Sequence, residues 1–256
     1  LGPPTPPPPP PPGLPGADRS SRDTAGGYQL RHIVRDGIER MFGPGEHGVG
    51  ADGRDQNVMY YLTVYNEPMV QPAEPEDVDV EGILKGIHRI SVGEGDGPRA
   101  QILASGVGVP WALEAQQLLR EDWGVAADVW SVTSWNELRR DALAADQAAF
   151  LDPAAPARVP FVTEKLSGAE GPFVATSDYD HLVPDQIRKW VPGDYEVLGA
   201  DGFGFSDTRA AARRHFKIDG PSVVVRTLQA LAKQGKVPAA ASARAMGEYR
   251  LQALSG

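Results

Sequence analysis

Apolar side chains recur at helical spacing from Tyr28 to Phe42, where Leu30, Ile33, Val34, Ile38, Met41 and Phe42 share one broad stripe. Gly43-Pro44 ends that helix, and a glycine-rich polar loop runs on to Gln56. The period then changes. Val58 to Val64 reads VMYYLTV, β-branched and aromatic on both faces, which is the pattern of a buried strand. Asn66-Glu67-Pro68 closes it. The proline- and acid-rich run from Gln71 to about Val80 predicts an internal linker.

Beyond the linker, strand and helix patterns alternate. Ala100 to Ser105 predicts a strand, Gly106 and Gly108 a turn, and Pro110 the start of a helix to about Asp122. Ala127 to Val132 predicts the next strand. Ser134 then caps a helix beginning near Asn136, with Glu137 three residues on. Phe173 to Thr176 reads as a short strand, Asp178 to Trp190 as a helix, and Tyr195 to Gly199 as another strand. Asp207 caps a short helix to His215, and Ser222–Lys233 and Ala239–Leu254 form two more. Strands spaced by such helices pair in parallel through right-handed crossovers. The fold class predicted is α/β.

Composition adds an abnormal head. Of 24 prolines, 10 fall in the first 16 residues, so the other 14 are spread at ordinary density over the remaining 240. Polyproline has no internal hydrogen bonds and joins no packed core, so residues 1–27 are expected to stay disordered. They read either as a ligand for a proline-recognising groove, or a spacer, or as compositional bias with no role; bias is the favoured reading. The chain begins with Leu, and the head is expected to mark a truncated or frameshifted gene. A length of 256 residues suffices for one large domain or two small ones without staples. The absence of cysteine removes disulfides, thiolate metal sites and thiol nucleophiles together. A net charge of -9 argues against nucleic-acid or anionic-membrane partners. No window approaches the roughly 18 apolar residues of a membrane span, so a soluble, cytoplasmic protein is expected.

No complete active site is legible in the spacing. Ser105-Gly-Val-Gly-Val-Pro110 follows a strand and opens a helix, where backbone N–H groups can hold phosphate. It lacks the third glycine of a dinucleotide fingerprint and the Lys-Ser/Thr of a P-loop, so a plain tight turn is favoured. Gly95-Asp96-Gly97 shares the start of the diphosphate motif of thiamine enzymes, but the only later asparagine is Asn136, so it too reads as a turn. His32, His47, His88, His181 and His215 show no close metal spacing, and His32 and His88 fall within helical patterns. No Gly-x-Ser-x-Gly elbow exists, and Asp201-Gly-Phe-Gly204 stands without other kinase motifs. Tyr65-Asn66-Glu67 ends a strand at the carboxyl edge, where parallel sheets bind ligands. A ligand-facing edge and a plain strand-terminating loop both remain open there.

Several runs taken together resemble one family. They are Val129-Trp-Ser-Val-Thr-Ser-Trp-Asn-Glu-Leu-Arg-Arg-Asp141, Arg158-Val-Pro-Phe161, Ala175-Thr-Ser-Asp-Tyr179 and, most specific, Val197-Leu-Gly-Ala-Asp-Gly-Phe-Gly-Phe-Ser-Asp207 with Arg214-His-Phe216. They resemble the carboxyl end of the homodimeric pyruvate dehydrogenase E1 family. Tyr28 to Pro72, with Asp36-Gly-Ile-Glu-Arg40 and Tyr60-Tyr-Leu-Thr63, resembles the stretch before it, so the likeness covers about Tyr28 to Leu254. It implies an oxidoreductase that decarboxylates pyruvate with thiamine diphosphate and Mg²⁺, as a homodimer. The acetyl unit then passes to the lipoyl group of a dihydrolipoyl acetyltransferase (E2).

By that resemblance, residues 28–75 are the tail of a pyrimidine-binding domain. Residues 76–256 are a transketolase-like, three-layer C-terminal domain with a mostly parallel sheet. The family's metal ligands, the glutamate that activates the aminopyrimidine, and its active-site histidines all belong upstream. None can be placed here, so no catalytic, cofactor-binding or metal residue is assigned, and the fragment alone is expected to be inactive and to bind no cofactor. Asn66 and Glu67 are the only residues placed near a substrate entrance. Two rival readings are a non-enzymatic α/β interaction module and a fragment of another transketolase-like thiamine enzyme.

Overall fold

The computed structural model of the protein describes residues 18–42, 58–68, 70–204 and 206–251. Its main body is a five-stranded sheet in the order β3-β5-β4-β6-β7. The strands are β3 (Ile87–Ser91), β4 (Arg99–Ala104), β5 (Ala126–Val132), β6 (Phe173–Thr176) and β7 (Tyr195–Leu198). All pair in parallel except β3, which runs antiparallel along one edge of β5. A second, two-stranded parallel sheet joins β1 (Asp18–Asp23) to β2 (Val58–Thr63), and α1 (Gly27–Phe42) connects them in sequence.

The central sheet is covered on both faces, and strand alternation decides which residue goes where. Ile102 and Ala104 of β4 and Val129 of β5 face a layer of α3 (Gly108–Trp123), α8 (Gly220–Lys233) and α9 (Ala240–Glu248). Leu103 and Phe173 turn to the other side. There they meet Leu138 of α4 (Trp135–Leu151) and Phe161, Val162 and Leu166 of α5 (Phe161–Leu166). The result is the three-layer α/β domain with a mostly parallel sheet that the resemblance implied.

Capping chemistry sets the helix starts. Ser134 Oγ accepts from the Glu137 amide at 3.1 Å, as expected, and also donates to the Ser21 carbonyl at 2.5 Å. Asp219 caps α8, with Pro221 in its first turn. For α7 (Arg209–Phe216) the cap is Thr208 and not Asp207: the Thr208 hydroxyl accepts from the Ala211 amide. The extended backbone of Thr208 is what aims that oxygen at the first turn.

Four further expectations are corrected. The expected disordered head does not extend to residue 27, because Asp18–Asp23 pairs in register with Val58–Thr63 and α1 starts at Gly27. Arg22 is buried and donates to the Leu84 carbonyl at 2.7 Å, while the Asp23 amide donates to the Thr133 carbonyl at 2.8 Å. These bonds hold a segment that has little apolar content. The polyproline run itself lies outside the described residues. Strand β2 is not buried on both faces: α1 covers one, with Gly37 against the Tyr60 ring, and Met59 and Tyr61 point to solvent.

His88 lies on strand β3, not on a helix. The short helix α2 (Val80–Lys85) stops at Gly86, whose φ of 115° suits glycine, and the chain leaves it extended. The segment Asp178–Trp190 is not one helix. It forms a four-residue turn of helix, α6 (Leu182–Asp185), and then a 3-10 turn at Arg188–Trp190. Pro184 supplies no N–H, and its carbonyl accepts from the Tyr195 hydroxyl at 2.8 Å.

Candidate functional site at the sheet switch point

From β4 the chain crosses to β5 on one side, and β6 then lies on the other side of β4. That reversal makes the carboxyl ends of β4 and β6 the switch point, the place where open α/β sheets form a ligand crevice. Ser105 and Gly106 leave β4 there, and Ser177, Asp178 and Tyr179 leave β6. The Ser105 and Ser177 hydroxyls are fully buried and 3.3 Å apart. Gly106 has a φ of 49°, and a Cβ on it would collide with the Tyr65 hydroxyl and with Asp23 Oδ1.

The crevice is therefore filled from the small sheet. Asp23 ends β1 and Tyr65 follows β2; the Tyr65 hydroxyl donates to Asp23 Oδ1 at 2.5 Å. The Thr63 and Tyr179 hydroxyls meet at 3.0 Å beside them. Burial pushes the Asp23 carboxyl up to about 6, with hydrogen bonds from Tyr65 and Ser105 opposing the rise. Burial also raises Asp178, while Tyr65 and the charge of Arg213 pull it back. The Tyr65 phenol is raised by burial first and then by Asp23. Asp23 Oδ2 and Asp178 Oδ1 are buried without a hydrogen-bond partner.

Asn66 and Glu67, expected at a substrate entrance, lie on the rim of this crevice. Both engage α7. Asn66 Oδ1 accepts from Arg209 Nη2 at 2.9 Å, and Glu67 pairs with Arg213, whose guanidinium stacks 4.8 Å over the Trp111 ring. The crevice residues Asp23, Asp178 and Arg213 were missed by sequence reasoning, whereas Tyr65 stood in the Tyr65-Asn66-Glu67 strand end already singled out. Asp178 stood inside the Ala175-Thr-Ser-Asp-Tyr179 run, but Asp23 lay in the polar head, where nothing marked it.

A second polar contact joins the two sheets. The Gln29 side-chain amide donates to His88 Nε2 at 2.8 Å and to Ser131 Oγ at 3.0 Å, and its carbonyl accepts from the Ala25 amide at 2.9 Å. That arrangement makes His88 Nε2 an acceptor and puts the imidazole proton on Nδ1. Burial lowers His88 to about 4, so the ring is neutral. Of the other histidines, His32 pairs with Glu74 at 2.6 Å, His181 with Asp201 at 2.6 Å, and His215 stacks edge-on against Phe216. His47 lies outside the described residues.

The donor sets for a diphosphate and its metal do not come together. Asp96 sits exposed in the turn between β3 and β4, and Asn136 is in the first turn of α4. Among the described residues, the group of His, Asp and Glu able to hold an ion is Asp180, His181 and Asp201, all exposed. Their oxygens and nitrogen already serve one another and the backbone: Asp201 Oδ1 accepts from both the His181 amide and Nδ1. The described residues do not fit a thiamine diphosphate–Mg²⁺ site.

Residues 86–219 match the family model described as the transketolase-like TK C-terminal domain. The chain is 51% identical over 229 residues to the pyruvate dehydrogenase E1 component of Corynebacterium glutamicum, which covers 90% of this chain and 24% of that protein. It is 40% identical over 234 residues to the same component of Escherichia coli, covering 91% of this chain and 25% of that one. The chain thus spans about a quarter of the length of the curated relatives it matches. Among solved structures, a Pichia stipitis transketolase complexed with sedoheptulose 7-phosphate superposes with a TM-score of 0.54 at 18% identity, over 86% of this chain and 26% of that one. A split-gene transketolase solved as an inactive β4 tetramer superposes at 0.50 and 16% identity, over 84% of this chain and 58% of that one. These two show the shared fold.

Proposed function

The chain belongs to the transketolase-like C-terminal domain family, and from that premise we propose that it is the carboxyl part of a pyruvate dehydrogenase E1 component. The parent enzyme decarboxylates pyruvate with thiamine diphosphate and Mg²⁺ as a homodimer in the cytoplasm. It then acetylates the lipoyl group of a dihydrolipoyl acetyltransferase. The observation that carries this reading is the 51% identity over 229 residues, far above what a shared fold alone requires. Among the described residues no helix is long and apolar enough to cross a membrane, in keeping with a cytoplasmic enzyme.

In this reading residues 28–75 close the pyrimidine-binding domain, and residues 76–256 are the C-terminal domain. The contribution of the chain is architectural. Thiamine chemistry needs a glutamate on the aminopyrimidine, a metal clamp on the diphosphate and acid–base groups at the substrate carbonyl, and the residues brought together here supply none of the three. What they do is hold one another. The bond from the Asp23 amide to the Thr133 carbonyl, the Glu67–Arg213 pair and the Gln29–His88 contact fix the β1–α1–β2 layer against the rigid sheet. That keeps the end of β2, with Asn66 and Glu67, at one place on the rim of the parent's substrate entrance.

Calorimetric titration of the purified chain with thiamine diphosphate and Mg²⁺, with a pyruvate decarboxylation assay beside it, tests this division of labour. No stoichiometric binding and no turnover are expected; stoichiometric binding overturns it. In the full-length enzyme, replacing Asn66 and Glu67 together with alanine is expected to change KM. Unchanged kinetics would remove them from the entrance.

A further inference from the structure

A cleft of about 690 Å³ runs along β3, at the edge of the large sheet farthest from β7. Its walls are the segment before α2 on one side, and α5 with the loop after it on the other. Small-molecule sites span roughly 300–1,000 Å³, so the size is right for one. His88 lies in the wall and is only 3% exposed. Its hydrogen bonding is fully determined. The Ala25 and Gly26 amides donate to Gln29 Oε1 at 2.9 and 3.3 Å, so the Gln29 nitrogen can only donate, and His88 Nε2 must accept. The imidazole proton is therefore on Nδ1. That N–H has no partner among the described residues, yet it is not one of the sealed polar atoms, so it opens on the cleft.

Two further donors line the same cleft. The Tyr28 ring meets the imidazole edge-on, with centroids 6.2 Å apart, and no described residue takes its hydroxyl proton. Lys165 is the other, and its charge acts on His88. The remaining charges are unevenly committed. Lys165 pairs with Asp79 at 2.5 Å, while Arg89 pairs with Asp128 at 3.1 Å and stacks over Trp130. Asp77 and Glu164 also line the cleft, are exposed, and form no ion pair among the described residues. A simple anion reaching for the three donors would meet those two carboxylates, and a simple cation would leave the His88 proton unused. Ile90, Val92 and Trp130 add apolar surface.

We propose that this cleft binds a free α-amino acid with an apolar side chain. The ligand's carboxylate accepts from His88 Nδ1, the Tyr28 hydroxyl and Lys165 Nζ, and its ammonium pairs with Asp77 and Glu164. Its side chain lies on the apolar surface of β3 and Trp130. A neutral histidine suits this role, because it donates to a carboxylate without bringing a buried charge of its own. Burial holds His88 at about 4, and the Gln29 nitrogen facing Nε2 leaves no room for a second proton there. The bound molecule touches three parts of the fold at once: α1 through Tyr28, the segment before α2 through Asp77, and β3 through His88.

NMR titration of the whole chain with three probes of one shape tests the proposal: L-leucine, isocaproate, which lacks the ammonium, and isoamylamine, which lacks the carboxylate. L-leucine is expected to shift the His88 Nδ1–H signal saturably, and the other two to bind at least about tenfold more weakly. Tyr28→Phe, which keeps the ring against His88, and Lys165→Met should each weaken L-leucine. Replacing both mouth carboxylates, Asp77→Asn with Glu164→Gln, should remove the preference for L-leucine over isocaproate. All three changes lie at partly or fully exposed positions, and the unliganded His88 signal shows in each variant that the fold and the tautomer persist. No saturable shift with L-leucine overturns the proposal. Isocaproate binding the unaltered chain as tightly as L-leucine also does, since the cleft would then be an anion site. So does L-leucine binding that none of the variants changes, because it would lie elsewhere.

Discussion

The five-stranded sheet and the β1–β2 sheet are built from similar strands but end in different states. In the large sheet every position of β5 and β6 is buried, because helices cover both faces. In the small one a single helix covers a single face. Met59 and Tyr61 of β2 are 54% and 67% exposed, and α1 leaves Ile38 and Phe42 in solvent. Burial of apolar area stabilises the first sheet, at about 25 cal/mol per Å². The second is held by directed polar contacts: Arg22 to Leu84, Asp23 with Tyr65, Gln29 with His88 and Glu67 with Arg213. The comparison teaches that one sheet is covered on both faces and the other is a layer that leans on it.

Substitutions sharpen the contrast, beginning with the central sheet. Leu103→Ala removes a fully buried side chain from the middle of β4 and is expected to lower the stability of the whole domain by about 3–5 kcal/mol, measured by urea unfolding. Gly106→Ala comes next. It forces a left-handed backbone on alanine and drives its methyl into Tyr65 and Asp23, at a cost of about 2–4 kcal/mol. Its effect should fall first on the small sheet, seen as faster proteolysis between residues 18 and 68 while near-ultraviolet signals of Trp130 and Trp135 persist.

A smaller effect is expected at the second junction. Gln29→Ala leaves His88 Nε2 and the Ala25 amide without partners and should cost about 1–3 kcal/mol. It should also raise the pH at which His88 protonates, since the empty space admits water; an imidazole NMR titration unchanged from wild type would contradict this. Smallest of all, Met59→Ser and Tyr61→Ser should change the stability of the chain by no more than about 0.5 kcal/mol, because both side chains already face solvent. A loss of several kcal/mol there would mean that this face is covered and would break the comparison.

Legibility in the sequence follows the same division. The helix over Tyr28–Phe42, the strands at β4, β5 and β6, the Ser134 cap and the long α8 were all readable, because hydrophobic period and capping chemistry act locally. Strand β3 was not. Its residues Ile87-His88-Arg89-Ile90-Ser91 carry a buried histidine whose place depends on Gln29 and Ser131, far away in sequence. Strand β1 was invisible for a stronger reason. Arg22 and Asp23 are buried polar residues in a segment without apolar periodicity, and only partners at Leu84, Thr133 and Tyr65 make that burial tolerable. The rim residues Asn66 and Glu67 could be placed at a strand end, but their arginine partners lie over 140 positions further on.

Native-state hydrogen exchange under increasing urea tests the distinction between the two layers most directly. Amides of β4, β5 and β6 should exchange only through global unfolding, with the full denaturant dependence of the chain. Amides of β1 and β2 should exchange through an earlier opening, with a smaller dependence and a lower free energy. A single isotherm shared by all five strands would contradict the account, since it would make the small sheet an integral part of one cooperative core.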